Sequence, residues 1–232
     1  MAVARADLQP MAVAPRAPGE YAPAAGVRAI EALQDAAAPL HGARVLHVSV
    51  AGAEGRVPEL LGGLLPLAAG AGLEVEWRVL FGSPELRATA TALGSGLRGG
   101  ESGIDDPAWD DFLDASQRAA ASIADSFDAV VLHDAAVGLA AGLDRPCAWR
   151  LHEDASRAEP DTLERVRTLA TGCSSVRVAD QALAPPGMGE RGARVEAAAP
   201  GIDPLDPRNI ELESRLPGRV VSPLGVELER PF

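Results

Sequence analysis

The sequence predicts an α/β fold: one doubly wound, mostly parallel, Rossmann-like sheet with helices on its faces. Three observations predict it. Short apolar runs of strand length recur along the chain, and segments with apolar residues at helical spacing lie between them. Glycine, proline and aspartate punctuate the joins. Strands that alternate with helices pair in parallel, because each crossover helix returns the chain to the same end of the sheet. No internal repeat competes with this reading.

Each element has its own signal. Residues 1–20 are rich in Ala, Pro and Arg without periodicity, and read as a disordered tail. Gly26–Ala38 is a helix with Val27, Ile30 and Leu33 on one face. Ala43–Val50 is the first strand. A loop with Gly52 and Gly55 leads into a helix whose Val57, Leu60, Leu61, Leu64 and Leu65 repeat to about Ala69, where Gly70 and Gly72 end it. Leu73–Leu80 is a strand and Pro84–Leu97 a helix. Asp106 as N-cap and Pro107 in the first turn start a helix that extends to about Ser126, with Trp109, Phe112, Leu113 and Ile123 inward. Strands follow at 128–133 and 146–152, a helix at 161–170, and strands at 174–179 and 194–198. Residues 210–232 are polar and broken by Pro217, Pro223 and Pro231.

Composition narrows the function. Hydrophobic residues make up 47% of the 232, enough for a core, but aromatics only 3%, so that core is built from Ala, Val and Leu. All 21 basic residues are arginine, a bias without functional content. A net charge of -12 argues against nucleic acid and anionic membranes as partners. No apolar run approaches the roughly 20 residues of a membrane span, and residues 1–18 lack the order of a signal peptide. A cytoplasmic protein is expected. Cys147 and Cys173 make no disulfide framework and read as small buried hydrophobes. No cofactor or metal is expected.

In an open α/β sheet, ligands meet the carboxyl ends of the strands. Two of the four histidines fall there. His133 closes Ala129–Leu132 and is followed by Asp134; His152 closes Cys147–Leu151 and is followed by Glu153 and Asp154. A histidine so placed can hydrogen-bond a sugar hydroxyl or hold a carboxylate. His47 lies within the first strand and reads as a packed core residue; His41 reads as exposed. The loop Ala51–Arg56 offers glycines and a helix N-terminus to an anion or a hydroxyl, a weak signal by itself. Gly94, Gly96 and Gly99 spell a nominal dinucleotide motif, but they follow a helix rather than a strand and are set aside. Asp105, Asp106, Asp110, Asp111 and Asp114 read as helix-start acids, not as a metal site.

Five segments in register carry a resemblance. Ala199-Pro-Gly-Ile-Asp-Pro-Leu-Asp-Pro-Arg-Asn209 is the most specific. With it stand Leu40–Val48, Val130-Val-Leu-His-Asp134, Trp149-Arg-Leu-His-Glu-Asp-Ala-Ser156 and Ala184-Pro-Pro-Gly187. Together, over residues 20–232, they resemble the N-terminal domain of trehalose synthase-type glycosyltransferases, one Rossmann-like half of a GT-B fold. The resemblance implies retaining transfer of glucose from a nucleotide-glucose to free glucose. It gives His152 and Asp154 catalytic roles, and it places Gly52, Gly55, His133, Asp134 and Arg150 around the acceptor, glucose or another small sugar. Two departures stand out: Ala51-Gly-Ala-Glu-Gly55 replaces a run of three glycines, and Ala135-Ala136 replaces Pro-Gln.

The expected organisation is a tail over 1–20, an acceptor-side domain over 21–209 and an interdomain linker over 210–232, with the donor domain absent. The chain alone is then expected to be inactive and to be completed by a separate donor-domain chain or in a homodimer. The alternative is a non-catalytic sugar-binding or interaction module on the same fold, which the two departures favour. A third reading, an unrelated Rossmann-like nucleotide or metabolite domain, is opposed by the turn at 201–209.

Overall fold

The computed structural model describes residues 7–50, 56–123, 126–191, 193–206 and 208–209. Its strands are β1 (Asp7–Met11), β2 (Arg44–Val50), β3 (Glu74–Phe81), β4 (Ala129–His133), β5 (Cys147–Arg150), β6 (Cys173–Val178) and β7 (Arg194–Ala197). They form one sheet in the order β1-β3-β2-β4-β5-β6-β7. β1 is antiparallel to β3; every other pair is parallel. The α-helices are α1 (Ala22–Ala25), α2 (Val27–Ala37), α3 (Arg56–Gly70), α4 (Pro84–Leu97), α5 (Asp106–Ala120) and α6 (Pro160–Ala170). None among the described residues is long and apolar enough to cross a membrane.

The winding reverses between β2 and β4. From β2 the chain goes outward to β3, then returns past β2 to β4 and continues the other way. A reversal of this kind leaves a crevice at the carboxyl ends of the two central strands, where open α/β sheets bind ligands.

Strand alternation divides the sheet into two unlike faces. Leu46, Val48, Val50, Val130, Leu132, Trp149, Val176 and Val178 form one buried cluster with Leu93 and Leu97 of α4, Phe112 and Ala115 of α5, and Val166 and Leu169 of α6. The intervening residues point the other way. There α3 packs Val57, Leu61 and Leu65 against Val75, Trp77 and the incoming Val13. In-register pairing of Val131 with His47, of His133 with Arg150 and of Arg150 with Arg177 makes the neighbouring strip of this face polar. Cys147 and Cys173 are free thiols paired across β5 and β6 in the core, sulfurs 3.2 Å apart.

The structure departs from the sequence reading in three places. Residues 7–20, expected as a disordered tail, are part of the domain: β1 extends the sheet edge, Pro18 and Tyr21 are buried, and the Arg16 amide donates to Pro66 O of α3 at 2.8 Å. Pro10 hides this strand in the sequence, and an edge strand is where a proline is tolerated. The α5 N-cap is Asp105, whose side chain accepts from the Ala108 amide, and the helix ends at Ala120 rather than near Ser126. Asp134–Gly142, given no element in the sequence reading, forms a buried 3₁₀ run against α5.

Candidate functional site

β2, β4 and the loop after β5 bring His47, His133 and His152 into one row. Nδ1 of His47 lies 3.0 Å from Nε2 of His133, and Nδ1 of His133 lies 2.9 Å from Nε2 of His152. The ring planes are within 23° and 15° of parallel, with centroids 5.3 and 5.2 Å apart. Nitrogens this close between centroids that far apart mean the rings meet edge to edge, in the manner of hydrogen-bonded imidazoles. Every contact in the row runs from a δ nitrogen to an ε nitrogen. Burial holds His47 down to about 4. Burial, then His47, His152 and Arg150, hold His133 well below the usual histidine range. Both rings are therefore neutral at neutral pH.

Asp134 ties the ends of β4 and β5 together. Its carboxylate oxygen accepts from the His152 backbone amide at 2.8 Å, and its carbonyl accepts from the Trp149 indole N–H at 2.9 Å. It holds φ at 48°, the only left-handed non-glycine residue among those described. Burial pushes its carboxyl up to about 7, Glu153 adds to the rise, and the His152 amide, Arg150 and Arg98 oppose it. A carboxyl there changes charge near neutrality, as groups at functional sites commonly do.

Arg150 is turned to the sheet. Its guanidinium donates to Ala198 O at 2.6 Å and to Val178 O at 3.5 Å, which holds the carboxyl ends of β6 and β7 together. Beyond His152 the surface opens into a depression of about 290 Å³ lined by Arg98, Glu153, Asp154 and Arg157. Arg98 and Glu153 form an ion pair at 3.0 Å across it. Asp154 is exposed; its carboxylate accepts from the Ser156 amide and hydroxyl at 3.0 and 2.6 Å, which keeps it ionised. Two cations and two carboxylates around a small open depression suit a neutral polyhydroxylated ligand better than an anion, because each hydroxyl can both donate and accept.

Residues 47–182, more than half of the chain, match the family model of the trehalose synthase N-terminal domain. The chain belongs to that family. A trehalose synthase of Rubrobacter xylanophilus is 32% identical over 209 residues, covering 86% of this chain and 50% of the relative. One from Pyrococcus horikoshii is 26% identical over 218 residues, covering 92% and 52%. The chain thus spans about half the length of the curated relatives it matches.

The chain brings most of the residues expected from the sequence to one end of its sheet. His133, Asp134 and His152 are in direct contact, and Asp154 lines the adjoining depression. Arg150 is close by, with its charge engaged by backbone carbonyls. Gly52 and Gly55 lie outside the described residues. The sequence reading assigned His47 to core packing, noted Glu153 only as an acid beside His152, and gave no role to Arg98 or Arg157. For His47 a signal existed: it alternates with Ser49 on the strand face opposite Leu46, Val48 and Val50. The others come from loops and a helix end, which only the folded chain brings together.

Proposed function

We propose that the chain forms the acceptor side of a trehalose synthase-like glucosyltransferase and binds glucose, or a sugar like it, at the carboxyl ends of β4 and β5. The observation that supports this most is the meeting of His152, Asp134 and the Arg98–Glu153–Asp154–Arg157 depression at that edge, in a chain of this family. In this reading His152 lies beside the transferred sugar. Asp154 and Glu153 accept from acceptor hydroxyls, and Arg98 and Arg157 donate to them. Asp134 acts through His152 by fixing its backbone.

In this reading the full reaction is the one the family resemblance implies: glucose passes from a nucleotide-glucose to glucose with retention. The acceptor side contributes orientation and fixed polar groups for the developing charge. In this reading the nucleotide is bound by the other half of a GT-B enzyme, whether a further domain or a separate chain, and turnover needs both halves. A non-catalytic sugar-binding module is the second reading, favoured by Ala135-Ala136 where the family carries Pro-Gln.

Calorimetric titration with glucose, trehalose and a nucleotide-glucose tests the proposal. Glucose is expected to bind and the nucleotide sugar not to. Tight nucleotide-sugar binding without glucose binding would assign the chain to the donor side and overturn it.

A further inference from the structure

With all three rings neutral, imidazoles in a row obey a simple count. Each neutral ring carries one N–H, on Nδ1 or on Nε2. Each of the two gaps, His47 Nδ1 to His133 Nε2 and His133 Nδ1 to His152 Nε2, needs one proton between its nitrogens. If His133 is protonated on Nδ1, it donates to His152, so His152 must carry its own proton on Nδ1. The bare Nε2 of His133 then accepts from Nδ1 of His47. If His133 is protonated on Nε2, the same logic puts every proton on Nε2. Any other neutral arrangement leaves one gap with two protons or with none.

We infer that His47 and His133 are positioning residues for His152: the three rings share one tautomer, so the proton on His47 decides whether His152 presents an N–H or a bare nitrogen at Nδ1. The switch balances. Water delivers one proton to Nε2 of His47, one proton crosses each gap, and one leaves Nδ1 of His152, so the net charge is unchanged before and after. Burial and the nearby Arg150 charge disfavour a lasting imidazolium at His133, so a concerted shift is the low-energy route. For the sugar site of the proposed function, on which this inference rests for its ligand, a hydroxyl meeting His152 finds a donor in one state and an acceptor in the other.

The test is two-bond ¹⁵N–¹H correlation spectroscopy of the full chain labelled with ¹⁵N-histidine, at about pH 8, above the ordinary histidine value, with the ¹⁵N shifts reporting each ring's charge directly. The three rings are expected to show the same tautomer. His47→Leu, which removes the outer partner, is expected to change the protonated-to-bare nitrogen balance of His152, a ring His47 does not touch. His47→Asn, whose amide replaces Nδ1, is expected to restore it. Mixed tautomers in the wild type overturn the inference, and so does a His152 signal indifferent to both substitutions. If His47→Leu fails to fold, the wild-type tautomers and His47→Asn still decide. Glucose separates this inference from the functional reading. If glucose moves no histidine signal while the rings share one tautomer, the sugar site fails and the relay stands. If glucose moves His152 but the tautomers are mixed, the relay fails and the sugar site stands.

Discussion

Asp134 concentrates three demands on one residue: a left-handed backbone, a carboxylate bond to the His152 amide, and a carboxyl that ionises near neutrality. Its pKa is raised from 3.8 to about 7, so between those values the folded state holds a proton that the unfolded state has released. That contribution to stability is complete below about pH 4 and is lost as pH rises through 7. Asn tolerates the left-handed region and keeps the accepting oxygen. Asp134→Asn is therefore expected to gain stability over wild type as pH rises from about 4 to 7, by at most about 1.4 kcal/mol per pH unit. Denaturant unfolding at several pH values checks this, and a constant offset would contradict it. Asp134→Ala loses the bond and keeps the strain, so it is expected to cost about 2–3 kcal/mol at acid pH. The histidines work in the opposite sense. His47 and His133 have lowered values, so the unfolded chain binds protons that the folded one does not, and their contribution falls as pH drops below about 6.5. A doubly substituted His47→Gln, His133→Gln chain is expected to show a shallower loss of stability between about pH 6.5 and 4.

Helix α3 shows how elements are seated by glycine. A Cβ on Gly70 would overlap the carbonyl of Arg16, and one on Gly63 would come within 2.9 Å of the Asp203 Cβ. The N-terminal segment and the turn after β7 thus cross this helix at two of its three glycines, and Arg16 and Asp203 join them at 3.2 Å. In an open helix Gly→Ala gains about 1 kcal/mol. At Gly70 the obstacle is backbone, so Gly70→Ala is expected to cost about 1–3 kcal/mol and to speed limited proteolysis within residues 12–20. Unchanged proteolysis would mean the segment is not held there. Gly96 reads differently in structure than in sequence: it is where α4 meets Thr162 of α6. The parallel strands and main helices were legible in the sequence because their apolar periods are clean. β1 was not, because Pro10 and the shortness of Asp7–Met11 conceal an edge strand that tertiary pairing creates. The 3₁₀ run was not either: Asp134–Gly142 is mostly Ala and Gly, which carry no period, and close packing fixes it.

At the scale of the whole molecule, the two faces of the sheet have divided their tasks. One buries the aliphatic core under α4, α5 and α6; the other carries the polar strip from His47 to Arg177. The reversal between β2 and β4 puts His47 and His133 on the two strands that flank the switch point. In the sequence, strand-end position pointed to His133 and His152 and to the acids that follow them, Asp134, Glu153 and Asp154, and the family resemblance gave Asp134 and Asp154 their roles. It did not reveal that His47 joins them, or that Arg98 reaches Glu153 from the end of α4, because those meetings depend on sheet order and loop paths. Arg150 shows the converse: a residue at the expected place whose guanidinium is spent on strand ends. Arg98→Ala is expected to weaken sugar binding severalfold while leaving unfolding within about 0.5 kcal/mol of wild type, since it removes one side of an exposed pair. The proposed sugar site lies at the carboxyl ends of β4 and β5. Mapping backbone amide shifts of the ¹⁵N-labelled chain during a glucose titration tests it most directly. Saturable shifts are expected at residues 133–134 and 152–157 and should vanish in His152→Ala, whereas no saturable shifts, or shifts centred elsewhere on the sheet, would rule the site out.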